Sequence, residues 1–127
     1  MRYTDIQNTP AKKHNDWLKS LDFYREDLGI LTGRLNEVAG KNSSNEARVG
    51  IEHFENQFEI QRHNINDLQH RIKANVHSCA TDVREHAGKV NIVAAQGIEE
   101  LETSVALFEE TIKKLRKEFN LFLSKWM

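Results

Sequence analysis

The sequence predicts an all-α protein, an elongated antiparallel (up-down-up) three-helix bundle with coiled-coil-like heptad packing. Three observations predict this fold. The only proline of the 127-residue chain is Pro10, so no later position excludes a helix. Apolar residues recur at alternating steps of four and three in three segments, which places them on one side of a helix. Glycines at positions 40 and 88 separate these segments.

The first helix is predicted over about residues 10–39. Thr9 and Pro10 have the residue types of an N-cap and a first helical position, and Gly40 suits the position after a helix end. Its apolar stripe consists of Trp17, Leu21, Tyr24, Leu28, Leu31, Leu35 and Val38.

The second helix is predicted over about residues 44–87, with Ser43 and Glu46 at capping-box spacing and Gly88 after its end. Its core register is Ile51, Phe54, Phe58, Gln61, Ile65, Leu68 and Ile72. A second four-residue step then leads from position 72 to Val76, and this predicts a change of phase after which Cys79 and Val83 also face the core.

The third helix is predicted over about residues 91–126, and residues 1–9 form a flexible arm before the first helix. Together the helices make one domain, 1–127. Acidic residues gather early in the third helix and basic residues late, which complements the helix dipole. Its core register is Ala94, Ile98, Leu101, Val105, Phe108, Ile112, Leu115, Phe119, Phe122 and Trp126.

Further apolar residues stand two positions after core positions, so each helix has an apolar face wide enough for two neighbours. These are Phe23, Ile30, Ile60, Val93, Leu107 and Leu121.

The predicted helices differ in length, and this favours a homodimer. At 1.5 Å per residue the second helix outruns the first by about 20 Å. Residues of about 74 to 105 would then lack a third layer, which a second copy or the N-terminal arm would supply. Val76, Cys79 and Val83 are therefore predicted to belong to an interaction surface.

A second part of the predicted interaction surface lies in the first helix. Gly29 and Gly33 each cost about 1 kcal/mol relative to alanine in a helix, which suggests close approach by another helix or chain. Phe23 and Ile30 would provide apolar contacts beside them. A tolerated local kink explains the glycines equally well.

The alternative to an interaction surface is a metal or small-ligand site in the second helix. His63, Asp67 and His70 are spaced so that neighbouring side chains could share one ion, but the heptad places the two histidines opposite the core. Gln61 occupies a core position, where an amide either lines a ligand cavity or fixes the register of the bundle.

Other function classes are disfavoured. Eighteen basic residues against nineteen acidic ones do not suit binding of nucleic acid through bulk charge. No long apolar run or signal peptide is present, so we expect a cytoplasmic protein without membrane contact. No phosphate loop or nucleophile motif occurs, and we expect neither an enzyme nor a cofactor. The predicted role is a non-enzymatic structural or protein-interaction bundle.

Two stretches, HFENQFEIQRHNINDLQHRI at residues 53–72 and KEFNLFLSKWM at residues 117–127, resemble segments of a family of short uncharacterised bacterial helical proteins. The resemblance implies a free-standing cytoplasmic bacterial protein that ends near Met127. It implies no activity and no site residues.

Overall fold

The computed structural model contains three α-helices, α1 (Pro10–Lys41), α2 (Asn45–Glu85) and α3 (Ile92–Trp126). It describes residues 10–85 and 92–127, and within them all side chains except those of 81–85 and 92–94. These ranges contain no strand, and the predicted all-α three-helix bundle is confirmed. The predicted arm at 1–9 and the turn at Gly88 lie outside the described residues.

The helices run up, down and up. His14, near the start of α1, contacts Asn75, which lies late in α2, so these two helices are antiparallel. Glu46, in the first turn of α2, pairs with Lys125, in the last turn of α3. α2 and α3 are therefore antiparallel as well, and α1 runs in the same direction as α3.

The core lies between the three helices, from Leu21 to Val38 on α1, from Ala47 to Ile72 on α2 and from Leu101 to Phe119 on α3. Each helix contributes apolar side chains at steps of three and four, and burial of each large apolar side chain contributes about 1.5–3 kcal/mol. The largest fully buried side chains are Phe58, Phe119, Leu21, Leu28, Leu35, Ile65, Ile72, Ile112 and Val38.

Aromatic rings fill the end of the core near the connection between α1 and α2. The ring centroid of Phe54 lies 5.1 Å from that of Phe119 and 5.0 Å from that of Phe122. Gly50 lies against the edge of the Phe122 ring, so a side chain at position 50 would displace that ring.

The start of α2 differs by one residue from the predicted capping box. The backbone N–H of Ala47 donates to Oγ of Ser44 at 3.2 Å, so Ser44 is the cap and not Ser43. Adjacent serines offer the same hydroxyl, and the helix begins at Asn45, directly after the second one.

The predicted change of phase in α2 is wrong. Asn75 and Cys79 are buried, whereas Val76 is exposed. The core positions therefore continue without interruption from Leu68 and Ile72 to Asn75 and Cys79, in steps of four, three and four. The error came from assigning the core position to the apolar valine, although a polar residue with a buried partner can occupy it.

The predicted lack of a third layer is wrong at the level of Asn75 and Glu102. α1 reaches this level, because His14 is buried against Asn75 and Nζ of Lys13 lies 3.4 Å from Oε2 of Glu102. The described part of α1 begins at Pro10, four residues before His14, so these contacts concern only the two margins of the predicted overhang. The sequence pattern begins at the apolar Trp17 and so underestimates how far the core face of α1 extends.

The glycines of the bundle differ in their surroundings. A Cβ atom at Gly29 or Gly33 would meet no atom within 4 Å, so nothing within the chain requires glycine there. A Cβ atom at Gly97 would lie 2.6 Å from Nδ2 of Asn75, which is closer than such atoms can approach. Gly97 therefore allows the buried amide of Asn75 to fit against α3.

We predict opposite effects for alanine at these positions. Gly33→Ala should raise the free energy of unfolding by about 1 kcal/mol, because alanine favours the helix and the site is open. Gly97→Ala should lower it by about 1–3 kcal/mol, because Asn75 must move. Urea unfolding followed by far-UV circular dichroism measures both. Gly29→Ala is the matched control and should behave like Gly33→Ala; destabilisation at Gly29 and Gly33 would contradict the open environment.

Candidate interaction surface

The structure does not gather the predicted interaction residues into one patch. Phe23 and Ile30 are exposed on α1, and Gly29 and Gly33 lie in open space beside them. Val76 is exposed on α2 at a distant level of the bundle. The side chain of Val83 lies outside the described residues.

Cys79 is not part of a surface, and this prediction is wrong. Its side chain is 7% exposed, and Sγ donates to Oδ1 of Asn75 at 3.6 Å. Burial of this residue requires no second copy, because the chain itself provides the cover.

The predicted metal ligands are not brought together. Nε2 of His63 lies 3.4 Å from Oε1 of Glu59, and Oδ2 of Asp67 lies 3.8 Å from a guanidinium nitrogen of Arg71. His70 is exposed farther along the helix. Within the described residues, no group of three His, Cys, Asp or Glu side chains is arranged to hold a metal ion. The three side chains lie at different levels along one face of α2, and no described side chain of α1 or α3 completes a metal site with them.

Polar side chains cross the outer seam between α1 and α2. The guanidinium of Arg25 donates to Oδ1 of Asn66 at 2.7 Å and to Oε1 of Gln69 at 2.8 Å. Arg62 donates to the hydroxyl of Thr32. The hollow of about 260 Å³ in this seam is lined by Arg62, Glu55 and Glu59 among others, so a partner would have to desolvate charge there.

Ion pairs cross the seam between α1 and α3. Nζ of Lys13 approaches Glu102, and Nε of Arg116 lies 3.1 Å from Oδ2 of Asp27. The second contact lies outside hydrogen-bonding geometry, so charge attraction alone joins the two groups. Phe23 and Ile30 stand four before and three after Asp27, so they flank this seam from α1.

Burial raises the pKa of the Tyr24 phenol, and the carboxylate of Glu109 raises it further. The guanidinium of Arg116 acts in the opposite direction. The Tyr24 ring packs edge-on against Phe108 at a centroid distance of 5.7 Å. Tyr24 is therefore a neutral core residue at physiological pH and provides no base or nucleophile there.

The seam between α2 and α3 is concave at the surface. Two hollows follow each other along it, of about 280 and 400 Å³, and Arg71 lines both. We call them the Gln61 hollow and the Gly97 hollow, and together the α2–α3 groove. The Gln61 hollow is lined by Gln61, Asn64, Asp67, Leu68, Arg71, Ser104, Leu107, Phe108 and Thr111. The Gly97 hollow is lined by Arg71, Ala74, Asn75, Ser78, Gln96, Gly97, Glu100 and Leu101.

Large apolar side chains border the α2–α3 groove on both helices. Ile60 is 41% exposed, Leu107 is 59% exposed and Leu121 is 74% exposed. Leu107 lines the Gln61 hollow, and Leu121 follows it by two heptads on the same side of α3. Ile60 precedes the lining residue Asp67 by one heptad, so it lies on the groove side of α2. This surface therefore combines apolar rims with a concave floor of mixed polarity, in which Arg71 donates to Oγ of Ser104 across the seam at 3.1 Å.

The alternative function, binding of a small ligand, requires a cavity beside Gln61, and the Gln61 hollow lies there. The side chain is 4% exposed, and its Oε1 accepts a hydrogen bond from Nδ2 of Asn64 at 3.2 Å. The hollow is open to the surface between α2 and α3 and is not enclosed in the core. The amide thus forms part of the groove floor.

A buried polar contact that the sequence analysis missed joins α1 to α2. Nε2 of His14 lies 2.7 Å from Oδ1 of Asn75, and both side chains are buried. The ring of His14 also packs edge-on against Trp17. The heptad register indicates a core position for His14, because this residue precedes Trp17 by three residues and Leu21 by seven.

None of the described helices contains a stretch apolar enough over a sufficient length to cross a membrane. The comparison with known proteins has one result. No protein-family profile, curated protein or solved structure matches this chain. The resemblance to bacterial helical proteins at residues 53–72 and 117–127 therefore stays a prediction.

We predict energetic coupling between His14 and Asn75. His14→Ala and Asn75→Ala should each lower the free energy of unfolding by about 1–3 kcal/mol, because each removes a buried hydrogen bond. The double variant should lose less than the sum, with a coupling energy of about 1 kcal/mol. Denaturant unfolding of the four proteins measures this cycle. Asn56→Ala, at an exposed amide of the same helix, is the control and should stay within about 0.5 kcal/mol of the unsubstituted chain. Strict additivity would show that the contact does not contribute.

Proposed function

We propose that this chain is a non-enzymatic helical bundle that acts by binding protein, and that the α2–α3 groove is its docking surface. The observation that carries the proposal is the exposure of Ile60, Leu107 and Leu121 along the two rims of the groove. These side chains lie on one side of the bundle, and exposed apolar side chains that share a face are typical of interaction sites.

The form of the groove suits a helical element of the partner. Two parallel ridges of side chains with hollows between them accept an amphipathic helix, whose apolar residues enter the hollows. Leu107 and Leu121 are fourteen residues apart, about 21 Å along α3, which corresponds to about four turns of such a helix.

The other two seams support a partner less well because of their apolar borders and not because of charge. An arginine crosses each of the three seams, and Arg71 donates to Oγ of Ser104 at 3.1 Å between α2 and α3. The surface at Phe23 and Ile30 has apolar residues from α1 only. The near-balanced charge of the chain supports a protein partner over nucleic acid. A cytoplasmic location is part of the same proposal.

The experiment compares the two exposed apolar pairs. A tagged chain is expressed together with an untagged copy, crosslinked in the cell and captured, and the bound proteins are quantified by mass spectrometry. Leu107→Asp combined with Leu121→Asp should reduce bound protein at least tenfold, because charge is placed on the rims. Phe23→Asp combined with Ile30→Asp is the matched control and should retain binding.

All four residues are exposed, so both variants should keep the helicity and melting temperature of the unsubstituted chain, which circular dichroism verifies. Equal capture by the groove variant and the unsubstituted chain would contradict the proposal. Loss of binding only in the Phe23 and Ile30 variant would assign the docking surface to α1 instead.

A further inference from the structure

A single line of residues on α3 follows the α2–α3 groove. Glu100, Leu107, Lys114 and Leu121 stand at steps of seven, so they project from the same side of the helix. Glu100 lines the Gly97 hollow and Leu107 lines the Gln61 hollow, which places this line along the groove. Along this line, the acid Glu100 precedes Leu107 by seven residues and the base Lys114 follows it by seven.

We propose that the partner in the α2–α3 groove is the same groove of a second copy of this chain, packed antiparallel about a two-fold axis at Leu107. This inference rests on the proposed function and names its partner. The two-fold axis places Glu100 of each copy opposite Lys114 of the other, so two ion pairs form at equal distances from the axis. A parallel arrangement would place Glu100 against Glu100 and Lys114 against Lys114, and like charges oppose it.

The charges of α3 are divided between its two sides. Glu102 and Arg116 face α1, where they pair with Lys13 and Asp27. The orientation of two copies in the groove therefore depends on Glu100 and Lys114.

The centre of the contact is suited to close packing. Asn64, Ser104 and Thr111 surround Leu107 in the Gln61 hollow, and none of them carries a charge. Each Leu107 side chain meets its own copy at the axis and packs over the hollow of the other chain. Asp67 and Arg71 also line this hollow and lie 3.8 Å apart, so the charge that is covered at the centre is that of an existing ion pair. At the ends of the interface, Glu100 and Lys114 compensate each other.

The available area is close to that of a stable dimer. The groove face of α3 from Gly97 to Leu121 is about 36 Å long, and two packed helices are about 20 Å wide. This face offers about 700 Å² per copy, against about 800 Å² per partner in a standard interface.

The first experiment measures the mass of the purified full chain by light scattering after size exclusion. We expect twice the 14.7 kDa chain mass at micromolar concentration. Leu107→Asp should weaken the dimer at least a hundredfold, because two aspartates meet at the axis. Ile30→Asp, an equally exposed position on α1, is the matched control and should stay dimeric.

Charge exchange tests the orientation. Glu100→Lys and Lys114→Glu should each weaken the dimer about tenfold, since each converts both ion pairs into like-charge contacts. The double variant restores opposite charges at both places and should return to within about threefold of the original affinity. Failure of the double variant to recover would overturn the antiparallel arrangement.

A cysteine at the axis provides an independent signature. Only positions on a two-fold axis meet their own copy, so Leu107→Cys should form a disulfide-linked dimer on mild oxidation, whereas Leu121→Cys and the unsubstituted chain with buried Cys79 should not. A monomer mass at all concentrations, or a dimer insensitive to Leu107→Asp, would overturn this inference. If the chain is a monomer but captures a different protein through Leu107 and Leu121, the proposed function still holds. If the variant with Leu107→Asp and Leu121→Asp captures its own copy and every other protein as well as the unsubstituted chain does, both the proposed function and this inference are wrong.

Discussion

The unbroken spacing of core positions at three and four residues is the constraint on which the rest of this bundle depends. On α2 it runs through Leu68, Ile72, Asn75 and Cys79 without a change of phase. Because the register is continuous, the same side of each helix faces the axis at every level. The outer positions are thereby determined as well. Ile60, Leu107 and Leu121 each follow a core residue of the same heptad position by two, and this is why they lie on the α2–α3 side although two helices provide them.

The sequence was sufficient for the fold and for most apolar core positions, and the errors arose where polar residues occupy core positions. Apolar periodicity alone placed the first core residue of α1 at Trp17, within a helix predicted from position 10, and it transferred the core of α2 from Asn75 to Val76. Each choice was reasonable for an isolated residue, because a buried amide or imidazole without a partner is costly. His14 and Asn75 are partners of each other, but 61 positions separate them, so no local pattern shows the pairing. The predicted overhang had a different origin, because it followed from the predicted helix lengths.

The candidate surface was predictable only in part, for a related reason. The positions of the exposed apolar residues follow from the heptad, but a heptad does not show which of three seams stays open. That depends on which polar side chains meet across each seam, such as Arg25 with Asn66 or Arg116 with Asp27. The sequence does contain one indication of the open seam. The positions that flank the core on the α2–α3 side include the uncharged Asn64, Ser78, Ser104 and Thr111, whereas bundles commonly carry charged pairs at such positions.

The charges of α3 have two separate physical consequences. Within the chain, early acids and late bases complement the helix dipole, and this contribution is small at exposed positions, about 0.3–1 kcal/mol for each residue. Any acid and base at the two ends of the helix provide this first effect. The proposed contact with a second copy depends instead on Glu100 and Lys114, which lie at equal distances from Leu107, so that reversal of the helix exchanges this acid for this base. The basis of the proposed self-association is therefore the spacing of two charges along the groove and not the polarity of the whole helix.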